Sequence, residues 1–339
     1  MLHGEYRQTR LPDKPHERVA MSNSPVVDNR ADVGDAELSE ISDGVFAYVQ
    51  PDGTWWINNT GFVVADDRVV AIDSCATEKR SRRLLSTIDN VTKKPVRTLI
   101  NTHHHGDHTH GNFVFRDATV IAHDACRKAL ITEGLPHTAP VAGSGAWGER
   151  EWGTIHLAPP FVTFTDSVNV YADDLLCEVR HLGMPAHTTN DAVVWIPERK
   201  VLFAGDLLFN GGTPFLLAGS LRGALAVVGR LKQFDAEVIV PGHGPVGGPE
   251  IIDEVLDYLR FVQEVAQRAH TAGLTPLQAA RGAELGRFAA LSDSERLVGN
   301  LHRAYSELDG SPMGASLDVR AALHDMVTFN GGRPLTCLA

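Results

Sequence analysis

Cysteine is scarce in this chain: four among 339 residues, at positions 75, 126, 177 and 337, with no Cys-x-x-Cys pair. That spacing argues against a disulfide framework or a structural zinc knuckle and for a reducing compartment. Long apolar runs are also missing, and none approaches the roughly 20 residues that cross a bilayer. The N-terminus has no basic-then-apolar leader, so a cytoplasmic protein without a membrane partner is expected. Basic residues are in the minority, 31 Lys and Arg against 42 Asp and Glu, for a formal charge of −11. Such a balance repels phosphate backbones and excludes nucleic acid as the expected partner. Asn58-Asn59-Thr60 matches a glycosylation sequon, which in a cytoplasmic chain is read as chance. Composition leaves a homo-oligomer compatible with everything else.

What remains is enough for a sizeable core: 43% of residues are hydrophobic and 22% charged. Residues 1 to about 35 carry Pro12, Pro15 and Pro25 without an apolar period and read as a disordered N-terminal arm. From Gly44 onward, short β-branched and aromatic runs predict strands at 45–49, 61–64, 69–72, 96–100 and 119–122, with helices at 77–88 and 124–133. A second half repeats the order, with strands at 161–164, 168–171, 175–182, 192–196, 201–204 and 238–240 and helices near 219–232 and 249–272. Strands followed by helices in two successive halves suggest an α/β four-layer sandwich over residues 36–273. Beyond Gly273 the pattern is helical, with starts at Thr275-Pro276, at Ser292 to Glu295 (spaced as a capping box) and at Ser316. Residues 274–339 are expected to form a helical extension packed on the same domain.

The chemistry is concentrated in Asn101 to Asn112, which contain His103-x-His105-x-Asp107-His108 directly after the strand at 96–100. A histidine tract can be no more than a solvated loop, so the deciding question is whether later residues complete a coordination sphere. His187 follows the run 176–182, Asp206 ends Val201 to Gly205, and His243 ends Val238 to Gly242. Each lies just past the expected end of a buried strand and can expose a side chain to a shared cleft. Neutral imidazole and carboxylate suit zinc, iron or manganese at an open site. His104 and His110 do not match ligand positions; the first reads as outward or structural, the second as a neighbour of the ligands. Asp73, ending the run 69–72, is placed to orient a ligating histidine.

These motifs resemble the metallo-β-lactamase superfamily, with its αββα sandwich. A closer likeness runs through Pro185 to Thr188, Leu202 to Asp206, Gly211 to Phe215, Pro241 to Pro245, Asn300 to Ala304 and the ending Asn330 to Ala339. It is to the cyclase/thioesterases of bacterial aromatic polyketide (antibiotic) biosynthesis, of the actinorhodin type. The long arm and Trp55-Trp56-Ile57-Asn58-Asn59 depart from that pattern. The resemblance implies that His103, His105 and His187 hold one divalent ion, most simply Zn²⁺, with Fe or Mn as alternatives. Asp107, His108 and His243 would then hold a second, with Asp206 between them. It also implies aldol ring closure and thioester hydrolysis, releasing the product from an acyl carrier protein, with Asp107 and Asp206 as catalytic carboxylates.

Trp55, Trp56, Phe209, Phe215 and Tyr305 are candidates to line a pocket for a flat substrate. Lys79, Arg80, Arg82 and Arg83 form the densest basic cluster and are a candidate patch for an acidic carrier, against the plainer reading of a solvated helix face. Gly143 to Gly148 lacks the Lys-Ser/Thr ending of a phosphate loop and reads as a loop near the cleft. Two other functions stay open. One is a general hydrolase of a small thioester or lactone, glyoxalase II-like or lactonase-like. The other is a non-hydrolytic metal-binding or redox scaffold.

Overall fold

In the computed structural model, described residues are 34–135, 146–147 and 151–339. The expected arm therefore lies almost wholly outside them, as does most of the loop 143–148. Two sheets form the centre. The first takes β1 (Glu37–Ser42), β2 (Val45–Val49), β3 (Thr60–Val64), β4 (Val69–Ile72), β5 (Val96–Ile100), β6 (Thr119–His123) and β7 (Val162–Phe164), in that spatial order. Helix α1 (Glu78–Val91) joins β4 to β5, the short α2 (Gly106–Thr109) follows β5, and α3 (Asp124–Glu133) follows β6. β1 to β4 pair antiparallel and β4 to β7 parallel.

The second sheet has five strands, in the order β12-β11-β10-β9-β8. They are β8 (Ser167–Ala172), β9 (Leu175–His181), β10 (Ala192–Ile196), β11 (Val201–Phe209) and β12 (Val238–His243). Helix α4 (Leu221–Arg230) joins β11 to β12, which pair parallel. After β12 come α5 (Glu250–Thr271), α6 (Pro276–Gly282), α7 (Arg296–Leu308) and α8 (Val319–Phe329).

Side-chain alternation shows why the central strands of each sheet are buried on both faces. Val70 and Ile72 of β4 point between the sheets, where they meet Val179, Val194 and Phe203. Val69 and Ala71 point the other way, onto Leu84 and Ile88 of α1. In the second sheet Val194 and Ile196 face the first, while Val193 and Trp195 join Leu202 and Ala204 against Val227, Val228 and the long helix α5. Each fully buried Leu or Ile of this kind contributes about 1.5–3 kcal/mol. The layers are therefore helix, sheet, sheet, helix, as expected. From the first described residue to Ala339 the chain forms one compact unit, so the helices after Gly273 belong to the same body.

Three local expectations change. β1 was not anticipated, because its residues Glu37–Ser42 are half-buried at best and carry little apolar period. β11 runs to Phe209 rather than Ala204, so Asp206 lies inside a strand, just after a break in register at Gly205. Ser292 and Glu295 do not make a capping box: Glu295 caps α7 without a side-chain bond, and its carboxylate accepts from Trp55 Nε1 at 2.7 Å. The box occurs instead at Thr275 and Gln278 of α6.

Candidate metal centre

The two sheets deliver their polar residues to one end of the sandwich. Strand β5 ends at Ile100, and the backbone then turns so that His103 and His105 precede α2, which carries Asp107 and His108 on its first turn. From the second sheet come His187 in the loop after β9, Asp206 inside β11 and His243 as the last residue of β12. Six of these seven are buried, and His105 is half-buried. All seven are brought together, in two groups that share one carboxylate: His103, His105, His187 and Asp206, and Asp107, His108, Asp206 and His243. Within each group the candidate ligand atoms lie within 4.8 Å of one another. Asp206 Oδ2 is 3.3 Å from both His187 Nε2 and His243 Nε2, one from each group, and Oδ1 is 3.0 Å from His108 Nε2. His243 Nε2 also meets Asp107 Oδ2 at 3.2 Å, and His105 Nδ1 meets His187 Nε2 at 2.8 Å.

The far side of the rings shows which nitrogen is offered. His108 Nδ1 donates to Asp73 at 2.8 Å, and His187 Nδ1 donates to the Phe215 carbonyl at 2.5 Å. Thr102 Oγ1 donates to Asp73 at 2.7 Å and so accepts from His103 Nδ1 at 3.1 Å. With Nδ1 taken up by these bonds, each Nε2 faces inward, the nitrogen that a metal would take in exchange for any proton on it. Among the described residues, His103 Nε2 and His108 Nε2 are buried with no hydrogen-bond partner. Orphaned inward nitrogens among carboxylates fit divalent cations and fit little else.

The electrostatics agree. Burial pushes the Asp206 carboxyl up, but His243, His108 and His187 outweigh it and hold the group well below the usual carboxylate range. Asp107 behaves alike: burial raises it, and His108 and His243 bring it below its ordinary value. Burial would lower His243, yet Asp206 and Asp107 push it up to about 9. His108 is likewise held well above its ordinary value, against burial, by Asp206, Asp73 and Asp107. His103 and His105 go the other way; burial, then the neighbouring imidazoles, hold both far below. The carboxylates are ionised and two rings neutral at neutral pH, as ligands must be.

The metallo-beta-lactamase superfamily profile matches residues 53–243, more than half of the chain. The chain belongs to the metallo-beta-lactamase superfamily. It is 24% identical over 257 residues to a linear primary-alkylsulfatase from Pseudomonas sp., covering 63% of this chain and 47% of that protein. It is 26% identical over 231 residues to a metallo-beta-lactamase type 2 from Bacteroides fragilis (65% of this chain, 83% of the relative). A hydroxyacylglutathione hydrolase from Methylococcus capsulatus is 29% identical over 143 residues, 42% of this chain and 45% of the relative. The chain thus spans about half the length of the first and third. Among solved structures, a metallo-beta-lactamase from Pontibacter korlensis superposes with a TM-score of 0.55 at 22% identity, covering 67% of this chain and 99% of that one. That likeness bears on the fold.

The expected aromatic residues divide. Trp56 stacks on His110 (ring centroids 5.8 Å apart) and meets Trp147 and Trp152 edge-on, while Trp55 meets Trp147 and Phe215 edge-on. Four of the five tryptophans of this superfamily member thus gather beside the histidine loop, and the indole N–H groups of Trp56 and Trp147 are buried without a partner among the described residues. Phe209 lies parallel to the His243 ring at 5.0 Å and lines a cavity of about 210 Å³ with Gly212, Pro214, Tyr258 and Phe288. Tyr305 is placed elsewhere, edge-on to His270 in the helical layer. His104 is buried, not outward, and bonds Glu133 and Asn190 away from the cluster.

The basic cluster is largely spoken for. Arg82 pairs with Glu78, Arg83 with Asp35, and Arg80 donates to Gln50 and the Leu338 carbonyl; Lys79 is exposed. Several shaping residues gave no signal in sequence. Asn59 donates to the carbonyls of Pro241 and Gly244 and so holds the turn that carries His243. Arg296, 2% exposed, lies between Trp55 and Phe209, 4.3 and 5.2 Å from their rings, and pairs with Asp293. Asn58 and Asn59, the sequon, are buried, and the only foretaste of their role was polarity beside Trp55-Trp56.

Proposed function

We propose that the protein is a two-metal hydrolase of an aromatic acyl thioester. The specific substrate would be an aromatic polyketide carried on an acyl carrier protein, with ring closure promoted at the same site. The observation that carries the reading is the sharing of Asp206 by two complete donor groups that lie beside a four-tryptophan wall. Two divalent ions held by these residues would supply Lewis acidity toward water and toward the acyl oxygen. The residues do the rest. Asp107, ionised and with Oδ2 3.2 Å from His243 Nε2, can accept the proton of the attacking water and return it to the leaving thiolate. Asp206 keeps the two groups in register. Trp56 and Trp147, each half-buried, offer flat apolar faces, a match for an aromatic ring system rather than for an aliphatic chain.

A second reading, hydrolysis of a small glutathione thioester, is favoured by the likeness to the hydroxyacylglutathione hydrolase. The two are separated by turnover of a synthetic naphthoyl thioester of pantetheine against S-lactoylglutathione, after metal analysis has counted the bound ions. Preference for the aryl thioester, lost in Trp56→Ala and Trp147→Ala through KM rather than kcat, supports the first reading. Preference for S-lactoylglutathione, or retained turnover after chelation, defeats it.

A further inference from the structure

Helix α7 lies beyond residues 53–243, the part that matches the family profile. One face of it nevertheless reads the backbone of the segment that follows β11. Arg296 Nη1 donates to the Thr213 carbonyl at 3.0 Å, Asn300 Nδ2 to the Pro214 carbonyl at 2.8 Å, and Arg303 Nη2 to the Leu217 carbonyl at 2.6 Å. Asn300 Oδ1 accepts from Leu216 N at 2.8 Å, and Glu307 accepts from Leu221 N at 2.9 Å. These residues recur at i, i+4, i+7 and i+11, so they line one helix face. Buried polar groups at such spacing are costly unless each is matched, and the backbone of 213–221 matches them.

Between the two bonds of Asn300 sits Phe215. Its carbonyl accepts from His187 Nδ1, and Gly299 leaves room for its ring: a Cβ there would lie 2.7 Å from Phe215 Cε2. Asn300 itself is fully buried. Through Leu216 N–H it thereby fixes the very peptide whose carbonyl sets the tautomer and orientation of His187, and through the Pro214 carbonyl the peptide before it. We infer that Asn300 is a positioning residue for the first metal group, so that the C-terminal helical extension tunes one of the two ions selectively. The inference rests on the metal reading above, but it concerns which ion responds. Among the described residues no hydrogen bond joins residues 213–221 to His108 or His243: His108 is oriented by Asp73, and the turn carrying His243 by Asn59.

The test is zinc binding by the full chain, titrated against a chromophoric chelator, with thermal stability of the metal-stripped protein measured alongside. Wild type should show two steps, and the step lost in His105→Ala marks the first group. Asn300→Ala should weaken that step about 10- to 100-fold, the usual effect of removing an outer partner of a ligand, and leave the other within twofold. Asn300→Asp, which keeps an acceptor for Leu216 N, guards against a folding failure and should weaken the same step. Glu307→Gln, on the same face but bonded to Leu221, should lower melting temperature without moving either step. Equal weakening of both steps by the Asn300 variants, or no change in either, overturns the inference. Absence of two zinc steps in wild type would overturn the metal reading itself.

Discussion

Asp73→Asn is the most informative single perturbation of the centre. The carboxylate, buried at the end of β4, accepts three bonds: Oδ1 from Thr102 N at 2.8 Å, Oδ2 from Thr102 Oγ1 at 2.7 Å and from His108 Nδ1 at 2.8 Å. Through Thr102 it also reaches His103. Asparagine has the same shape and tolerates the positive φ of 59° found here, so the change isolates charge and acceptor count. One oxygen cannot serve both sides. Either the amide N–H₂ opposes Thr102 N–H, or it opposes His108 Nδ1 and drives that ring into the wrong tautomer. Losing one bond to a charged group costs about 1.5–3 kcal/mol, and the facing unsatisfied donor adds to it; we expect roughly 3 kcal/mol from urea unfolding of the metal-stripped protein. Zinc affinity should fall about 10- to 100-fold at the group containing His108 and less at the group containing His103, which feels Asp73 at one remove. If Asp73→Asn lost the stability but kept both zinc affinities within twofold, the idea that outer hydrogen bonds set these ligands would be refuted.

Asp206→Ala should reduce the zinc count by elemental analysis from two to at most one, because both groups use its oxygens. Gly242→Ala should act on the same residue without touching charge: a Cβ there would lie 1.9 Å from Asp206 Oδ1, so overpacking of about 1–3 kcal/mol and a weakened ion pair of steps are expected in the same assays. Metal-stripped protein should be most stable near pH 6.5–7. His243 has its folded value raised from 6.5 to about 9, so its contribution is full below 6.5 and disappears as pH climbs through 9; His108 acts in the same direction. His103 and His105 are depressed, so acidification below 6.5 favours the unfolded chain, which takes up their protons. A melting temperature that rises steadily from pH 6 to 10 would contradict this. At neutral pH zinc uptake should release protons from His108 and His243, visible as buffer-dependent heats in calorimetry.

The layered fold was readable because its strands are buried on both faces and its helices on one, and these patterns survive in a single sequence. Val69 to Ile72 and Leu84 with Ile88 announce their partners by period alone. β1 stayed hidden since an edge strand at the surface needs no apolar period. The seven ligand candidates were legible because imidazole and carboxylate at strand ends have few other uses. Asn59 and Asn300 were not, because their value lies in backbone groups 84 or more positions away, which no local spacing encodes. The extension of β11 past Ala204 was missed for a related reason: Gly205 looks like a terminator, yet it serves as a kink within a strand.

Four of the candidate ligands hang from the seven-stranded sheet and three from the five-stranded one. Ions bound between them would act as a clasp, and at a hundredfold excess over the dissociation constant each adds about 2.7 kcal/mol against unfolding. Loss of metal would then open the sandwich at the end where its hydrophobic seam stops, exposing chain to proteolysis. The supply of metal around the protein would govern how long each copy lasts, as well as whether it works.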